Sequence, residues 1–234
     1  MPYKYLYYFI IFWREIMPYA KTDLEKLEKL HSAIESRKKQ ENAAPTYRDS
    51  SDLRKMTEIA LSPREEDIET LEETISVLRY LTKAYDKMCR TGISVKLYTP
   101  LLSAYARLSI LKEFDSEDMA QLEECLLTAV RARNYYKTDC CIDLAEIVSK
   151  CMPESRIRVL LDTGIDSRRN FIKNDPVEMT DEYLAVIDEV EEQIEKKKSS
   201  DFCLEYWNLK AQLLSSHGIV WHSPAELNPN ARFD

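Results

Sequence analysis

A chain of 234 residues, 44% hydrophobic and 32% charged, is long enough for one large or two small domains, and folding would bury roughly 70% of its unfolded surface. Three glycines cannot build a glycine-rich phosphate loop, and with no sustained period-two alternation they argue against sheet and for helices. The net charge of -8 does not invite free nucleic acid, and it is local: between Asn174 and Glu205 eleven acids face three lysines, which is the whole excess.

The N-terminal run Tyr3-Lys4-Tyr5-Leu6-Tyr7-Tyr8-Phe9-Ile10-Ile11-Phe12-Trp13 is the most unusual composition in the chain. Its uncharged part, Tyr5 to Trp13, is less than half of the roughly 20 residues of a membrane-spanning helix. It also lacks the order of a secretory signal. Three readings stay open: a helix buried in this protein or in a partner, a segment resting at a membrane interface through residues 3–13, and an uncleaved targeting element. So many rings left bare would aggregate, which favours a protein contact and marks Tyr5, Tyr8, Phe9, Phe12 and Trp13 as partner-binding side chains.

Thr22-Asp23-Leu24-Glu25 reads as a capping box before an amphipathic helix with Leu24, Leu27, Leu30 and Ile34. Glu28 and His31 on it have the Glu-x-x-His spacing of di-iron bundles, without the second copy such a site needs. Gln40 to Ser51 reads as a linker, and Leu53, Met56, Ile59 and Leu61 as a short helix. Ser62-Pro63-Arg64-Glu65 then predicts the start of a long helix whose apolar stripe is Ile68, Leu71, Ile75, Leu78, Leu81 or Thr82, Tyr85 and Met88. Gly92 is its expected stop, in the left-handed conformation, with Thr99-Pro100 opening an antiparallel partner that carries Leu101, Leu102, Tyr105, Leu108 and Leu111. Gly164-Ile165 and Gly218-Ile219 repeat the same stop signal.

The stretch Ala84-Tyr85-Asp86-Lys87-Met88-Cys89-Arg90-Thr91-Gly92-Ile93, followed by Tyr98-Thr99-Pro100-Leu101-Leu102-Ser103-Ala104-Tyr105, resembles the seam between two pentatricopeptide repeats. One helix ends in Met-x-x-x-Gly-Ile and a Tyr-led helix follows, over about one repeat (residues 84–105). The resemblance implies a helical-repeat protein of an organelle, of the kind that binds single-stranded RNA or serves as a scaffold. It assigns no base-reading residue.

Further helices are expected from Ser116 (Met119, Leu122, Leu126, Val130, Tyr135), from about Asp139 to Cys151, and beyond Pro153 (Ile157, Leu160, Leu161). Short helices on short connections suggest stacked antiparallel hairpins. Basic and aromatic residues mingle in this third: Arg131, Arg133, Tyr135 and Arg168 form the candidate face for single-stranded RNA, with Glu123, Glu124, Asp143, Glu154 and Asp162 near enough in sequence to balance it. Thr180 caps an acidic helix with Tyr183, Leu184, Ile187, Val190 and Ile194. Ser200-Asp201 opens the last long one. Ser223-Pro224-x-Glu226 starts a short turn in a tail whose Trp221, Leu227 and Phe233 are expected to bind a partner. Cys203, His217 and His222 make too few ligands at irregular spacing for a metal set, and the six cysteines, in apolar helical slots, fit a reducing intracellular compartment. The mitochondrial matrix is one such compartment.

Catalysis needs a nucleophile with a base, a paired acid and base, or a metal with an open position. The chain offers no Gly-x-Ser-x-Gly, His-Glu-x-x-His, Cys-x-x-Cys or P-loop. The expectation is therefore an all-α, non-enzymatic scaffold or accessory subunit, without metal or cofactor. It has three parts: 1–45, 46–173, and an acidic C-terminal part, 174–234, packed on the middle. It docks other subunits through both ends, with RNA binding as the alternative.

Overall fold

The computed structural model describes residues 21–41, 45–63, 66–136, 141–165, 172–197, 203–231 and 233. All regular structure among them is helical: α1 (Lys21–Glu41), α2 (Ser50–Leu61), α3 (Ile68–Lys87), α4 (Thr91–Leu111), α5 (Ser116–Tyr135), α6 (Ile142–Val148), α7 (Glu154–Ile165), α8 (Asp181–Lys197), α9 (Cys203–Ser216) and α10 (Pro224–Leu227). Two 3-10 turns, Tyr47–Asp49 and Pro176–Met179, precede α2 and α8.

The middle of the α3 apolar stripe lands where its spacing puts it, while Ile68 in the first turn is exposed and Met88 lies just past the helix end, partly buried. Leu71, Ile75, Leu78, Leu81, Thr82 and Tyr85 are all buried. Its start does not lie at Ser62. That residue, extended as the residue before a proline should be, ends α2 instead, its hydroxyl bonded back to the Glu58 carbonyl at 2.7 Å. The cap is Asp67, whose carboxylate accepts from the Thr70 amide at 2.7 Å.

The turn after α3 also differs. Cys89, at φ 56°, takes the left-handed place expected of Gly92. Its amide bonds to the Asp86 carbonyl at 3.0 Å, and the Arg90 amide to that of Tyr85 at 2.8 Å, which closes a Schellman motif. Helix α4 then begins at Thr91 and continues without a break past Pro100. Gly92 is needed for closeness rather than conformation: a Cβ there would sit 2.6 Å from the Glu178 carbonyl oxygen. Gly164 likewise lets α7 approach α5, since its Cβ would meet Val130 Cγ1 at 2.5 Å. Only Gly218 (φ +76°) ends its helix as the spacing predicts, with Ile219 bonding back to Leu214.

Eleven of the 21 residues of α4 are buried, so it is the axis of the molecule, with α3, α5, α6 and the Pro176–Met179 turn packed against it. Around it lies a first core to which α1 gives Leu27 and Ile34, α2 Leu53 and Met56, α5 Leu122 and Leu126, and α7 Ile157 and Leu160. Helix α1 therefore shares the core of the middle region. A second core gathers Tyr183, Ile187, Val190 and Ile194 of α8 with Leu213, Leu214, Ile219 and Trp221.

Candidate functional site

Where the two cores meet, charged side chains are buried together. The Pro176–Met179 turn, capped by Asp175, carries Glu178 into the seam. One carboxylate oxygen accepts from Trp221 Nε1 at 2.8 Å and lies 3.5 Å from Lys210 Nζ; the other accepts from the Tyr136 hydroxyl at 3.1 Å. Lys210 stands on the apolar face of α9, so its side chain is 8% exposed and its ammonium is ringed by Trp221 (4.5 Å to the ring centre), Tyr183 (5.4 Å) and Tyr206 (5.9 Å). Faces of aromatic rings stabilise a cation by about 0.5–2 kcal/mol each. Burial, and then the nearby Glu178 carboxylate, drives the Tyr183 and Tyr136 hydroxyls well above the usual tyrosine range. Both therefore stay protonated, and Tyr136 donates to Glu178.

The C-terminal tail closes this cluster. Asp175 accepts from the His222 amide at 2.7 Å and lies 3.0 Å from its Nδ1. Asn228 makes two bonds to the backbone of Lys173, at 2.8 and 2.9 Å. Trp221, Glu178 and Lys210 thus spend their polar atoms on one another, and the arrangement is a clasp. The Lys210 ammonium is enclosed by rings, and the Glu178 carboxylate has donors on both oxygens.

A second polar cluster pins α8 to the first core. Asp188 pairs with Arg54 at 2.6 Å and with Arg90, which also donates to Ser50 Oγ at 2.9 Å. Arg90 is 7% exposed, and its Nη2 is buried without a hydrogen-bond partner among the described residues. A hollow of about 280 Å³ between α3, α4 and α5 is lined by Glu72, Ser76, Arg79, Tyr105, Asp118 and Gln121. Lys112 spans it from Glu72 to Asp118, at 2.7 and 3.1 Å.

Of the residues singled out in the sequence, Tyr5, Tyr8, Phe9, Phe12, Trp13 and Arg168 lie outside the described residues. Trp221 is 6% exposed and belongs to the clasp. Leu227 is half-buried in α10, and Phe233 sets its edge against Trp207 with ring centres 5.0 Å apart. Trp221 and Phe233 of the tail therefore pack on residues of this chain, and Trp221 is not an exposed docking side chain. In the basic third, Arg131 is exposed, but Arg133 grips Asp143 through both terminal nitrogens and reaches Thr99, and Tyr135 packs against the first core. Arg156 holds Glu123 by two bonds of 2.6 Å. His31 lies edge-on to Tyr80, 4.6 Å between ring centres. Among the described residues no three His, Cys, Asp or Glu side chains converge as a metal set, and no helix is long and apolar enough to cross a membrane.

The sequence reading passed over Glu178, Lys210, Arg90 and Asp188. Lys210 carried a signal: it falls four residues after Tyr206 and four before Leu214 on the inward stripe of α9. A cation in that slot requires a buried acid elsewhere.

Comparison of the chain with protein-family models, with curated proteins and with solved structures finds no match.

Proposed function

We propose that this chain is a non-enzymatic helical scaffold or accessory subunit that binds other proteins of a larger intracellular assembly. The observation that carries the reading is apolar matter placed outward. Ile68, Ile110, Leu111, Val159 and Val220 are between 41% and 74% exposed on the described surface, and the aromatic run of residues 3–13 adds more of the same chemistry. The buried charged clusters support it from the other side, since each is occupied in joining helices. Docking is assigned to the N-terminal aromatic segment, while the C-terminal tail closes the clasp. The described cysteines are free thiols, in keeping with a reducing compartment. Single-stranded RNA is the less favoured ligand, because Arg133 and Arg156 are engaged by acids of this chain.

Purification at native expression levels tests the assignment. The chain should elute in a complex well above its own 27.4 kDa, and recovery as a stable, monodisperse monomer would remove it.

A further inference from the structure

The outward apolar residues are not scattered evenly. Ile68 (41% exposed) opens α3, and Ile110 (69%) and Leu111 (45%) close α4. The two helices run antiparallel, tied by Arg107 to Glu66 at 2.5 Å and Lys112 to Glu72 at 2.7 Å, so these residues share one pole. Between Leu111 and the 66–69 stretch lies an open hollow of about 600 Å³. Glu66, Asp67 and Glu69 line it; Glu66 is paired with Arg107 and Asp67 caps α3, so the acidic groups left to face a cation are Glu69 and, two residues after Leu111, Glu113.

The topology also fixes where the chain enters. Helix α1 is antiparallel to α2, since Arg37 near its end holds Asp49 and Asp52 at the beginning of α2, at 2.6 and 2.7 Å. Helix α2 is antiparallel to α3, since Ser50 at its start bonds to Arg90 just past the end of α3. Helices α1 and α3 therefore point the same way, with His31 against Tyr80, and Lys21 comes out at the pole where α3 begins. Six residues, 15–20, separate Lys21 from Arg14. At 3.3–3.6 Å per residue they reach about 20 Å.

We propose that this pole is the seat of the chain's own aromatic segment, residues 3–14. Its rings match the Ile68 and Leu111 side chains of the hollow with Ile110 beside them, its flanking Lys4 and Arg14 match Glu69 and Glu113, and its tether of six residues enters at the same pole. A partner that takes the segment must then exchange it out of this seat. The proposal deepens the docking role given above, and the two fail separately: the mass of the native assembly reads one, a contact within the chain the other.

The test is photo-crosslinking of the full chain with p-benzoylphenylalanine in place of Phe9, followed by peptide mapping. The expected product has monomer mass and joins position 9 to residues 66–69 or 110–113. Its yield should fall at least fivefold in Ile110→Asp, with helix content and melting unchanged at so exposed a position, and should hold in the control Val220→Asp. No crosslink, a crosslink elsewhere in the chain, a product of dimer mass, or a yield untouched by Ile110→Asp would each overturn the proposal.

Discussion

Cys89 holds a backbone conformation that costs an L-residue with a side chain about 1–2 kcal/mol, yet the two Schellman bonds around it need that conformation. Its side chain is exposed, so nothing in the core rewards a cysteine there. Replacing it with glycine removes the strain while giving back a few tenths to about 1 kcal/mol of unfolded-state entropy. Cys89→Gly is expected to stabilise the protein by roughly 0.5–1 kcal/mol, read as a higher urea midpoint with an unchanged slope; a lower midpoint would mean that the thiol has a contact worth more than the turn. The case shows what a sequence conceals at this scale. Gly92, three residues on, is the residue that composition nominates for the turn, but its missing Cβ serves the approach of the Glu178 carbonyl. Close approach by a segment 86 residues away leaves no local mark. Lys210 and Glu178 are hidden for the same reason, since a buried pair can be recognised only when both halves are known to face one seam.

At the scale of elements, hydrophobic spacing carried the reading well. The middle positions of the stripes of α3, α5 and α8 are buried as their three- and four-residue steps require, because a helix with one apolar face has a single way to shelter it, while Ile68 at the start of α3 is left exposed. Boundaries carried less. Thr99-Pro100 resembles a helix start, since proline suits the first turn, but Pro100 lies inside α4, where its ring removes the bond to the Lys96 carbonyl. The buried residues Val95, Leu97 and Tyr98 before it outweigh that loss and extend the helix back to Thr91. Pro100→Ala restores the donor, and an interior proline costs about 3 kcal/mol, partly offset by the freer unfolded chain. The variant should be more stable by about 2 kcal/mol in equilibrium denaturation. A neutral or destabilising result would show that α4 depends on a bend at this point.

At the scale of the whole molecule, the described residues form two cores held together by charged seams, and the question is whether they unfold as one. Apolar contact builds each core, but Asp188 on α8 is what meets Arg54 and Arg90 of the first. Removing one partner of a buried pair leaves the other desolvated and alone, at about 3–5 kcal/mol; here Ser50 stays on Arg90, and Asp188 is partly open to water, which moderates the loss. Asp188→Ala is therefore expected to destabilise the protein by about 2–3 kcal/mol, and Asp188→Asn, which keeps an acceptor, by less. The distribution of the loss matters more than its size. Hydrogen exchange should quicken in α8 and α9 first, while the amides of α3 and α4 keep their protection, because the seam is the joint and the α4 axis is not part of it. Uniform quickening across both cores would show instead that the clasp at Glu178 makes the two a single cooperative unit, with Asp188 only one of several equivalent ties.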